Sequence, residues 1–145
     1  MIIDHIGIVV KSIDIATRQW EDVFGYIKAT SVIHNTRQNV FVIFLEKKNS
    51  TTIKLIEPVD EKSPVFTFAK RGGGLHHLCF KCENLEESLH KMDKQGLRVL
   101  SGPEPGEAFE NEKIVFLYAH NGMKIELIDT EKRANLIIDK EIARR

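Results

Sequence analysis

The sequence predicts an α+β fold made of two tandem βαβββ modules, and three observations lead to this prediction. The same order of strand-like and helix-like segments occurs twice along the 145 residues. Matching residues in the two copies lie 72 positions apart, as His5 and His77 do (77 minus 5). A run of glycines at 72–74 separates the copies. The predicted boundaries are one domain at 1–129, modules at about 2–57 and 75–129, a connector at 58–74 and a C-terminal extension at 130–145.

The first module begins with a predicted strand at 2–10, where apolar residues run almost unbroken, as in a strand covered on both faces. Ser12 predicts the N-cap of a helix, and Gly25 predicts its end. Trp20 lies on the apolar stripe of this helix, so we expect it in the core. The other residues of the stripe are Ile13, Ala16, Val23 and Phe24. Three further strands are predicted at about 28–33, 39–46 and 51–57.

A short helix is predicted in the connector, and the second module then repeats the order of elements of the first. Ser63 and Pro64 predict the start of a short helix that ends at the glycines. Asn84 and Glu87 form a capping box for a longer helix that stops at Gly96. The strands of the second module are predicted at 75–82, about 98–100, 113–119 and 123–129, the last two joined by a tight hairpin at Asn121 and Gly122.

Further residue pairs keep the offset of 72, which favours an internal duplication. These pairs are Phe44/Phe116, Leu45/Leu117, Ile53/Ile125 and Leu55/Leu127. The extension at 130–145 has no counterpart in the first module. Its apolar residues predict one face of a terminal helix that packs on its own domain or on a second subunit, and they are Leu136, Ile137, Ile138 and Ile142.

Composition excludes several classes of function. The chain has 21 basic and 21 acidic residues, which gives a formal net charge of zero. A protein that binds nucleic acid would show a basic surplus, so no nucleic-acid partner is expected. No apolar run approaches the length of a membrane span, and the chain enters a strand without a leader-like segment. We expect a soluble cytoplasmic protein.

Cys79 and Cys82 have the spacing of a redox or zinc motif. They lie on a predicted strand, however, and positions three apart on a strand face opposite sides of the sheet. The sequence therefore favours two small core residues in a reducing compartment.

The duplication makes a prediction about four polar side chains. If the modules pack as equivalents, His5 and His77 occupy matching positions on the first strands, and Lys54 and Glu126 match on the last strands. Their apolar neighbours are expected on the helix-covered face, so alternation turns Lys54 and Glu126 to the other face. We therefore expect all four side chains to converge inside a curved sheet. Two imidazoles and one carboxylate are a common ligand set for a divalent transition metal with positions left open for substrate.

The pattern resembles the vicinal oxygen chelate superfamily, which includes glyoxalase I, extradiol dioxygenases and the bleomycin resistance proteins. The similarity spans about 3–129 and rests on four motifs: His-Ile-Gly-Ile at 5–8, Ile-x-Leu-Ile-Glu-Pro at 53–58, Gly-Leu-His-His-Leu-Cys-Phe at 74–80 and Ile-Glu-Leu at 125–127. The connector at 63–77 is most similar to that of the methylmalonyl-CoA epimerases.

This resemblance implies a fold and a site. The fold is a U-shaped, eight-stranded mixed sheet around a central cavity. His5, His77 and Glu126 fall on the metal-ligand positions, for Co, Ni, Mn, Zn or Fe, and small members of the superfamily are often homodimers.

The sequence also departs from the epimerase pattern. Lys54 stands where these relatives carry Gln or Glu as a fourth ligand, and 35–38 lacks the glutamate that they use as a base. An ammonium about 4 Å from a dication is repelled by roughly 8 kcal/mol at an effective dielectric of about 20, whereas Glu126 would attract it by roughly 4 kcal/mol. Three outcomes stay open: Lys54 turns away, it acts as a base, or it replaces the metal by pairing with Glu126.

Two functions follow, with a third as a more distant alternative. The first is an isomerase or lyase that moves the proton next to the carbonyl of an acyl thioester or related small molecule, with Lys54 or Glu126 as proton carrier. The second is a metal-free protein that binds a small molecule, like the resistance proteins. The third is a non-haem iron dioxygenase.

The remaining polar candidates carry weaker signals. Strand parity turns His76 away from the cavity, and His34, His90 and His120 are expected in loops or on a solvated helix face. Gln38 lies beside the missing base position, where it is either a polar strand end or a substrate contact.

Overall fold

The computed structural model describes residues 1–137, which form one open mixed sheet with helices packed against it. The strands are β1 Ile2–Val9, β2 Ile27–Lys28, β3 Ile33–Asn35, β4 Val40–Glu46, β5 Thr52–Pro58, β6 Gly74–Lys81, β7 Arg98–Gly106, β8 Glu112–Tyr118 and β9 Lys124–Ile128. The helices are α1 Ile13–Phe24, α2 Phe66–Lys70 and α3 Leu85–Lys94, with 3₁₀ turns at Glu107–Phe109 and His120–Gly122. The strand order is β2-β4-β5-β1-β6-β9-β8-β7, and β3 pairs with β4.

The sheet order brings the first strands of both modules together at the centre. Strand β1 pairs antiparallel with β6, and each of these strands pairs in parallel with the last strand of its own module, β5 or β9. The residue pairs Gly7/His77, Gly7/Lys54 and Cys79/Glu126 are directly opposite one another in this register. The predicted α+β architecture of two βαβββ modules is confirmed.

Both long helices begin at the predicted caps. The Ser12 hydroxyl accepts a hydrogen bond from the backbone N–H of Ile15 at 3.3 Å, and the side-chain oxygen of Asn84 accepts one from Glu87 at 2.9 Å. Gly25 ends α1 in the left-handed conformation, with φ of 74°. These local signals fix where each helix meets the sheet.

Three predicted elements differ from the structure. The single strand expected at 28–33 is divided into β2 and β3, so the described sheet has nine strands rather than eight. Between them, Thr30 forms an isolated bridge with Leu136. The strand expected at 98–100 extends to Gly106 because β8 pairs with it along that length. Asn121 lies in a 3₁₀ turn between β8 and β9 rather than in a two-residue hairpin, although its φ is positive, at 70°.

Side-chain alternation separates the sheet into an outer, helix-covered face and an inner face, as predicted. On the outer face one apolar cluster packs around α1 and a second around α3, while a third cluster lies on the inner face. Trp20 packs against Tyr26 in the α1 cluster, with ring centroids 5.1 Å apart. Cys79 is in the inner cluster and Cys82 in the α3 cluster, so the two thiols face opposite sides and are free. Burial raises the pKa of Cys79, which suits a core residue.

The segment 130–137, called here the C-terminal segment, is not helical. Its backbone runs along the first module, where Ser31 N–H donates to the carbonyl of Asn135 at 3.0 Å and Ile137 N–H donates to that of Ala29 at 2.9 Å. The rest of the predicted terminal helix, including Ile138 and Ile142, lies outside the described residues. Among the helices of 1–137, none has the length and apolar character needed to cross a membrane.

Candidate metal centre

Four side chains singled out by the duplication meet on the inner face of the sheet. The Nε2 atoms of His5 and His77 are 3.3 Å apart, and they lie 3.0 and 3.1 Å from Oε1 of Glu126. Lys54 Nζ is 3.8 Å from the same carboxylate oxygen. All four residues are buried, with His5 and Glu126 fully inaccessible to solvent. The predicted convergence is therefore present.

Gly7 makes room for this arrangement. It lies on β1 directly opposite His77 on β6 and beside Lys54 on β5. A Cβ at this position would overlap the imidazole of His77. Any side chain larger than hydrogen would thus push the imidazole out of the centre, which is the physical reason for the glycine in the His-Ile-Gly-Ile motif.

Glu126 is a buried carboxylate without a satisfactory partner. Neither of its oxygens makes a hydrogen bond of acceptable geometry, although Oε1 lies close to both imidazoles and to Lys54. Burial alone would raise the pKa of Glu126, but the Lys54 ammonium and the two histidines hold it well below its usual value. An ionised, fully buried carboxylate in this state calls for a cation.

The donor set fits a divalent transition metal. His5, His77 and Glu126 each offer one ligand atom to a common point. Ligands in neighbouring positions around one ion, with bonds of about 2.1 Å, are separated by roughly 3 Å. The three observed separations, 3.0, 3.1 and 3.3 Å, match this spacing. Two imidazole nitrogens and one carboxylate oxygen also suit Zn, Co, Ni, Mn or Fe chemically.

Lys54 remains at the centre instead of turning away from it. Its side chain is almost fully buried, and Nζ lies 5.3 Å from the ring centroid of Phe109 and 5.7 Å from that of Phe44. Together with the 3.8 Å separation from Glu126, these contacts place a cation beside the ligand atoms. Of the three outcomes left open by the sequence, only the one in which Lys54 turns away disagrees with the structure.

Asp4 orients His5. The register between β1 and β6 shifts after Ile3, so that Asp4 is the extra residue of a bulge. Its carboxylate lies 2.7 Å from Nδ1 of His5 and also pairs with the guanidinium of Arg133. Burial would raise the pKa of Asp4, but the bonds to His5 and Arg133 outweigh it and lower the pKa. An ionised carboxylate only accepts, so Nδ1 of His5 carries a hydrogen, and Nε2 at the far side of the ring faces the centre.

The prediction for His76 is wrong. A second register shift makes His76 the bulged residue of β6, so its side chain does not follow strand parity and lies in the cavity wall. Its Nδ1 is 2.8 Å from Nδ1 of His77, and its Nε2 is 3.3 Å from Nζ of Lys124. Burial is the main reason that the pKa values of His76 and His77 fall to about 3 and about 4. Both rings are therefore neutral at pH 7.

The protonation of this pair follows from Lys124. An ammonium only donates, so Nε2 of His76 accepts and the hydrogen of that neutral ring sits on Nδ1. His76 then donates to Nδ1 of His77, which places the hydrogen of His77 on Nε2, facing the centre. In this arrangement His77 presents N–H to the centre, and this hydrogen would have to leave Nε2 for His77 to bind an ion.

A cavity of about 300 Å³ opens beside the centre. Lys54 and His77 form part of its wall, whereas His5 and Glu126 do not. Its other polar lining residues are Arg37, Gln38, His76, Ser101, Glu104 and Lys124. Gln38 is thus in position to meet a ligand, as well as bonding with Asn35. Glu104 of the second module is the acidic residue among those that line the cavity.

Several of these residues were not singled out from the sequence. Asp4 and His76 are related by the same offset of 72, and this signal alone could have identified them as a pair beside the two histidines. For Arg133 and Glu104, the residue 72 positions earlier in the chain gives no such signal. The remaining histidines are peripheral: His34 packs on Phe41 with ring centroids 4.9 Å apart, and His90 is exposed on α3.

Three known proteins illustrate what the chain resembles. Ethylmalonyl-CoA/methylmalonyl-CoA epimerase of Cereibacter sphaeroides is 29% identical over 129 residues, covering 86% of this chain and 95% of the relative. Uncharacterized protein YqjC of Bacillus subtilis is 35% identical over 133 residues, covering 88% and 91%. A solved methylmalonyl-CoA epimerase in complex with methylmalonyl-CoA and NH4+ superposes with a TM-score of 0.77 at 27% identity, covering 92% of this chain and 96% of that one.

The family is shown by a match over most of the chain. Residues 4–116 match the model of the glyoxalase/bleomycin resistance protein/dioxygenase superfamily. The matched range contains β1 and β6 with His5 and His77, and the architecture of paired βαβββ modules agrees with it. The chain belongs to the glyoxalase/bleomycin resistance protein/dioxygenase superfamily.

Proposed function

We propose that this protein is a metal-dependent isomerase that moves the proton on the carbon next to the carbonyl of an acyl-CoA thioester. One observation carries the proposal: three buried ligand atoms within 3.3 Å of one another lie beside a cavity of about 300 Å³. The relatives named as acyl-CoA epimerases support the substrate class. Isomerase chemistry is favoured over lyase chemistry because it is the activity in those names.

His5, His77 and Glu126 would hold the ion. When bound, a divalent ion supplies positive charge to the carbonyl oxygen of the substrate, where negative charge develops as the proton leaves. The role of the protein is to fix three ligands on rigid strands, and β1, β6 and β9 are adjacent at the centre of the sheet.

Charged side chains at the cavity wall suit an anionic substrate. Arg37 and Lys124 both line the cavity, which otherwise has an apolar lining that includes Val40, Val42 and Phe116. Cationic groups on an apolar wall orient a carboxylate or phosphate by charge while the wall excludes water from the reacting carbon. We infer that the acyl end of the thioester enters here.

Lys54 and Glu104 are the proposed proton carriers. Both line the cavity, and they come from different modules. Epimerisation removes a proton from one side of a carbon and returns one to the other side, so it needs two groups. Glu104, as the carboxylate, would remove the proton from one side, and Lys54, as the ammonium, would return a proton to the other side. Glu126 is less suited to this role because its carboxylate is fully buried and does not line the cavity.

Exchange of the substrate hydrogen with solvent tests the proposal. The protein, loaded with Co(II), is incubated with 2-methyl-branched acyl-CoA thioesters in deuterated water, and deuterium at the α-carbon is followed by mass spectrometry. We expect exchange that requires the metal and is lost in His77→Ala. Lys54→Met should still exchange the α-hydrogen of one epimer through Glu104 but no longer interconvert the two epimers. Absence of metal-dependent exchange with every thioester would contradict the proposal.

One observation favours a second candidate, a metal-free protein that binds a small molecule. Lys54 Nζ lies 3.8 Å from Glu126 Oε1, so the lysine itself can neutralise the buried carboxylate. In that case the cavity would bind its ligand without an ion. Purified protein that stays free of metal, and keeps its melting temperature after chelation, would favour this alternative.

We also propose that the protein is a cytoplasmic homodimer. Two free cysteines suit a reducing compartment. Ile3 and Leu75 are exposed at opposite ends of the β1–β6 pair, at 47% and 67% of their surfaces, as expected if a second copy packs along these two strands. Light scattering of the purified chain would give the mass of the assembly, and a monomer mass would contradict the dimer.

A further inference from the structure

We propose that Arg133 of the C-terminal segment is a positioning residue, which acts through Asp4 to hold the His5 ring in its metal-binding orientation. The inference rests on the proposed metal centre and extends it to a residue beyond 4–116, the range that matches the family.

The contacts form a continuous chain from the segment to the centre. The guanidinium of Arg133 pairs with Oδ2 of Asp4, and the same oxygen lies 2.7 Å from Nδ1 of His5. Nε2, at the far side of the His5 ring, lies 3.0 Å from Oε1 of Glu126. Each link joins atoms that are buried or nearly so, since the side chains of Asp4 and Arg133 are 10% and 13% exposed.

Arg133 is itself held in a defined place. Its guanidinium carbon lies 4.6 Å from the ring centroid of Phe44 and 4.9 Å from that of Phe109. Both rings also contact His5, with centroids 5.3 and 6.1 Å from the imidazole. A planar guanidinium between aromatic rings and a carboxylate has little freedom to move, so it fixes the direction of that carboxylate.

The two residues that flank Arg133 each make a contact outside the centre. Ala134 N–H donates to the carbonyl of Ala108 at 3.0 Å, and Lys132 pairs with Glu112 at 2.7 Å on the surface. These two contacts hold the segment where Arg133 reaches Asp4. Some residues orient a metal-ligating histidine through its second ring nitrogen. Removing such a residue typically lowers metal affinity by about 10–100-fold.

Metal affinity in matched variants tests the inference. Arg133→Met keeps the length and the apolar packing but removes the charge, and Lys132→Met makes the same change at the neighbouring surface residue. We expect Co(II) affinity, measured by titration calorimetry, to fall by about 10–100-fold in Arg133→Met and to stay unchanged in Lys132→Met. Should Arg133→Met fail to fold, Arg133→Gln is the second variant, with the same loss expected.

The route through Asp4 is tested by a double variant. In Asp4→Asn, the change Arg133→Met should cost no further affinity, because Arg133 acts only through that carboxylate. The inference is overturned if Arg133→Met lowers the melting temperature but binds Co(II) as tightly as the unmodified protein. It is also overturned if the loss is the same size in the Asp4→Asn background.

A readout without metal separates this inference from the proposed function. Nitrogen chemical shifts of the His5 ring show which nitrogen carries hydrogen, and we expect Nδ1 in the unmodified protein and a mixture in Arg133→Met. If the unmodified protein binds no Co(II), the proposed metal centre fails, and the ring shifts alone decide the role of Arg133. Identical His5 shifts in Arg133→Met and Lys132→Met would overturn it.

Discussion

The two modules place different residues around equivalent histidines. Asp4 and His76 are 72 positions apart, both lie at bulges, and each touches Nδ1 of the following histidine. Each is in turn paired with a basic residue, Arg133 for Asp4 and Lys124 for His76. Module one thereby places the hydrogen of His5 Nδ1 on the Asp4 side of the ring, whereas module two holds His77 with a hydrogen facing the centre.

The last strands differ in the same way. Glu126 in module two is a proposed metal ligand, and its counterpart Lys54 is a cation at 3.8 Å from the carboxylate. Duplication thus explains why four side chains meet at one point, while divergence explains their unequal roles. A symmetric fold has become a centre with one carboxylate, one ammonium and two histidines in different protonation patterns.

Glu126→Gln should have the largest effect on this asymmetry. The change keeps the shape of the side chain but removes the charge that neutralises both an ion and Lys54. We expect Co(II) affinity to fall by more than about 100-fold, beyond the loss typical of residues that only orient a ligand. Titration calorimetry measures it, and Glu131→Gln, at an exposed residue paired with Lys81, is the control.

The second largest effect should be a loss of protein stability at low pH. The pKa values of His76 and His77 lie at about 3 and about 4 in the folded protein, below the value of 6.5 of an unperturbed histidine. The unfolded chain therefore binds protons first, and the free energy of unfolding should decrease as pH falls from about 6.5 towards 4. Each histidine contributes at most about 1.4 kcal/mol per pH unit.

Several charged side chains lie near His76 and His77 and contribute to their pKa values. Glu126 raises the pKa of His77, Lys54 and Lys124 lower the pKa of His76, and burial is the largest cause of both low values. Denaturant unfolding of metal-free protein between pH 7 and 4.5 gives the slope. His76→Gln should make it shallower and His90→Gln, at an exposed residue of α3, should not. Equal slopes in all three proteins would contradict the assignment.

Lys54→Gln should strengthen metal binding. The change removes an ammonium beside the proposed ion and puts a neutral amide in its place. Repulsion of roughly 8 kcal/mol at an effective dielectric of about 20 is an upper bound, so we expect a gain of about tenfold or more in Co(II) affinity. Lys81→Gln on the surface is the matched control. A loss of affinity would show that Lys54 supports the centre.

Lys124→Met should also strengthen metal binding, and this gain should be the smallest of the predicted effects. Without the Lys124 ammonium, Nδ1 of His76 is free to accept a hydrogen bond from Nδ1 of His77. Nε2 of His77 then presents a lone pair to the centre. We expect affinity to rise by about threefold, within the range of a single hydrogen bond. Ring nitrogen shifts of His77 should change with it. Unchanged shifts would contradict the proposed protonation of the pair.

Regular strand geometry is what made the centre predictable. His5, His77 and Glu126 follow the pleat and the duplication, so parity alone gave their faces correctly. His76 and Asp4 lie at bulges, where one extra residue breaks parity, and nothing in the local sequence marks a bulge. The role of Arg133 depends on long-range contacts of an irregular segment, which periodicity does not encode. The division of the strand at 28–33 has the same cause, since Leu136 pairs with Thr30 there.

Cobalt content after dialysis is the most direct measurement of the central claim. The protein, His77→Ala and His90→Ala are each equilibrated with Co(II) and washed, and the metal per chain is measured by elemental analysis. We predict one ion per chain in the unmodified protein and in His90→Ala, and none in His77→Ala. Metal that is absent from all three proteins, or that persists in His77→Ala, would contradict a metal centre built from His5, His77 and Glu126.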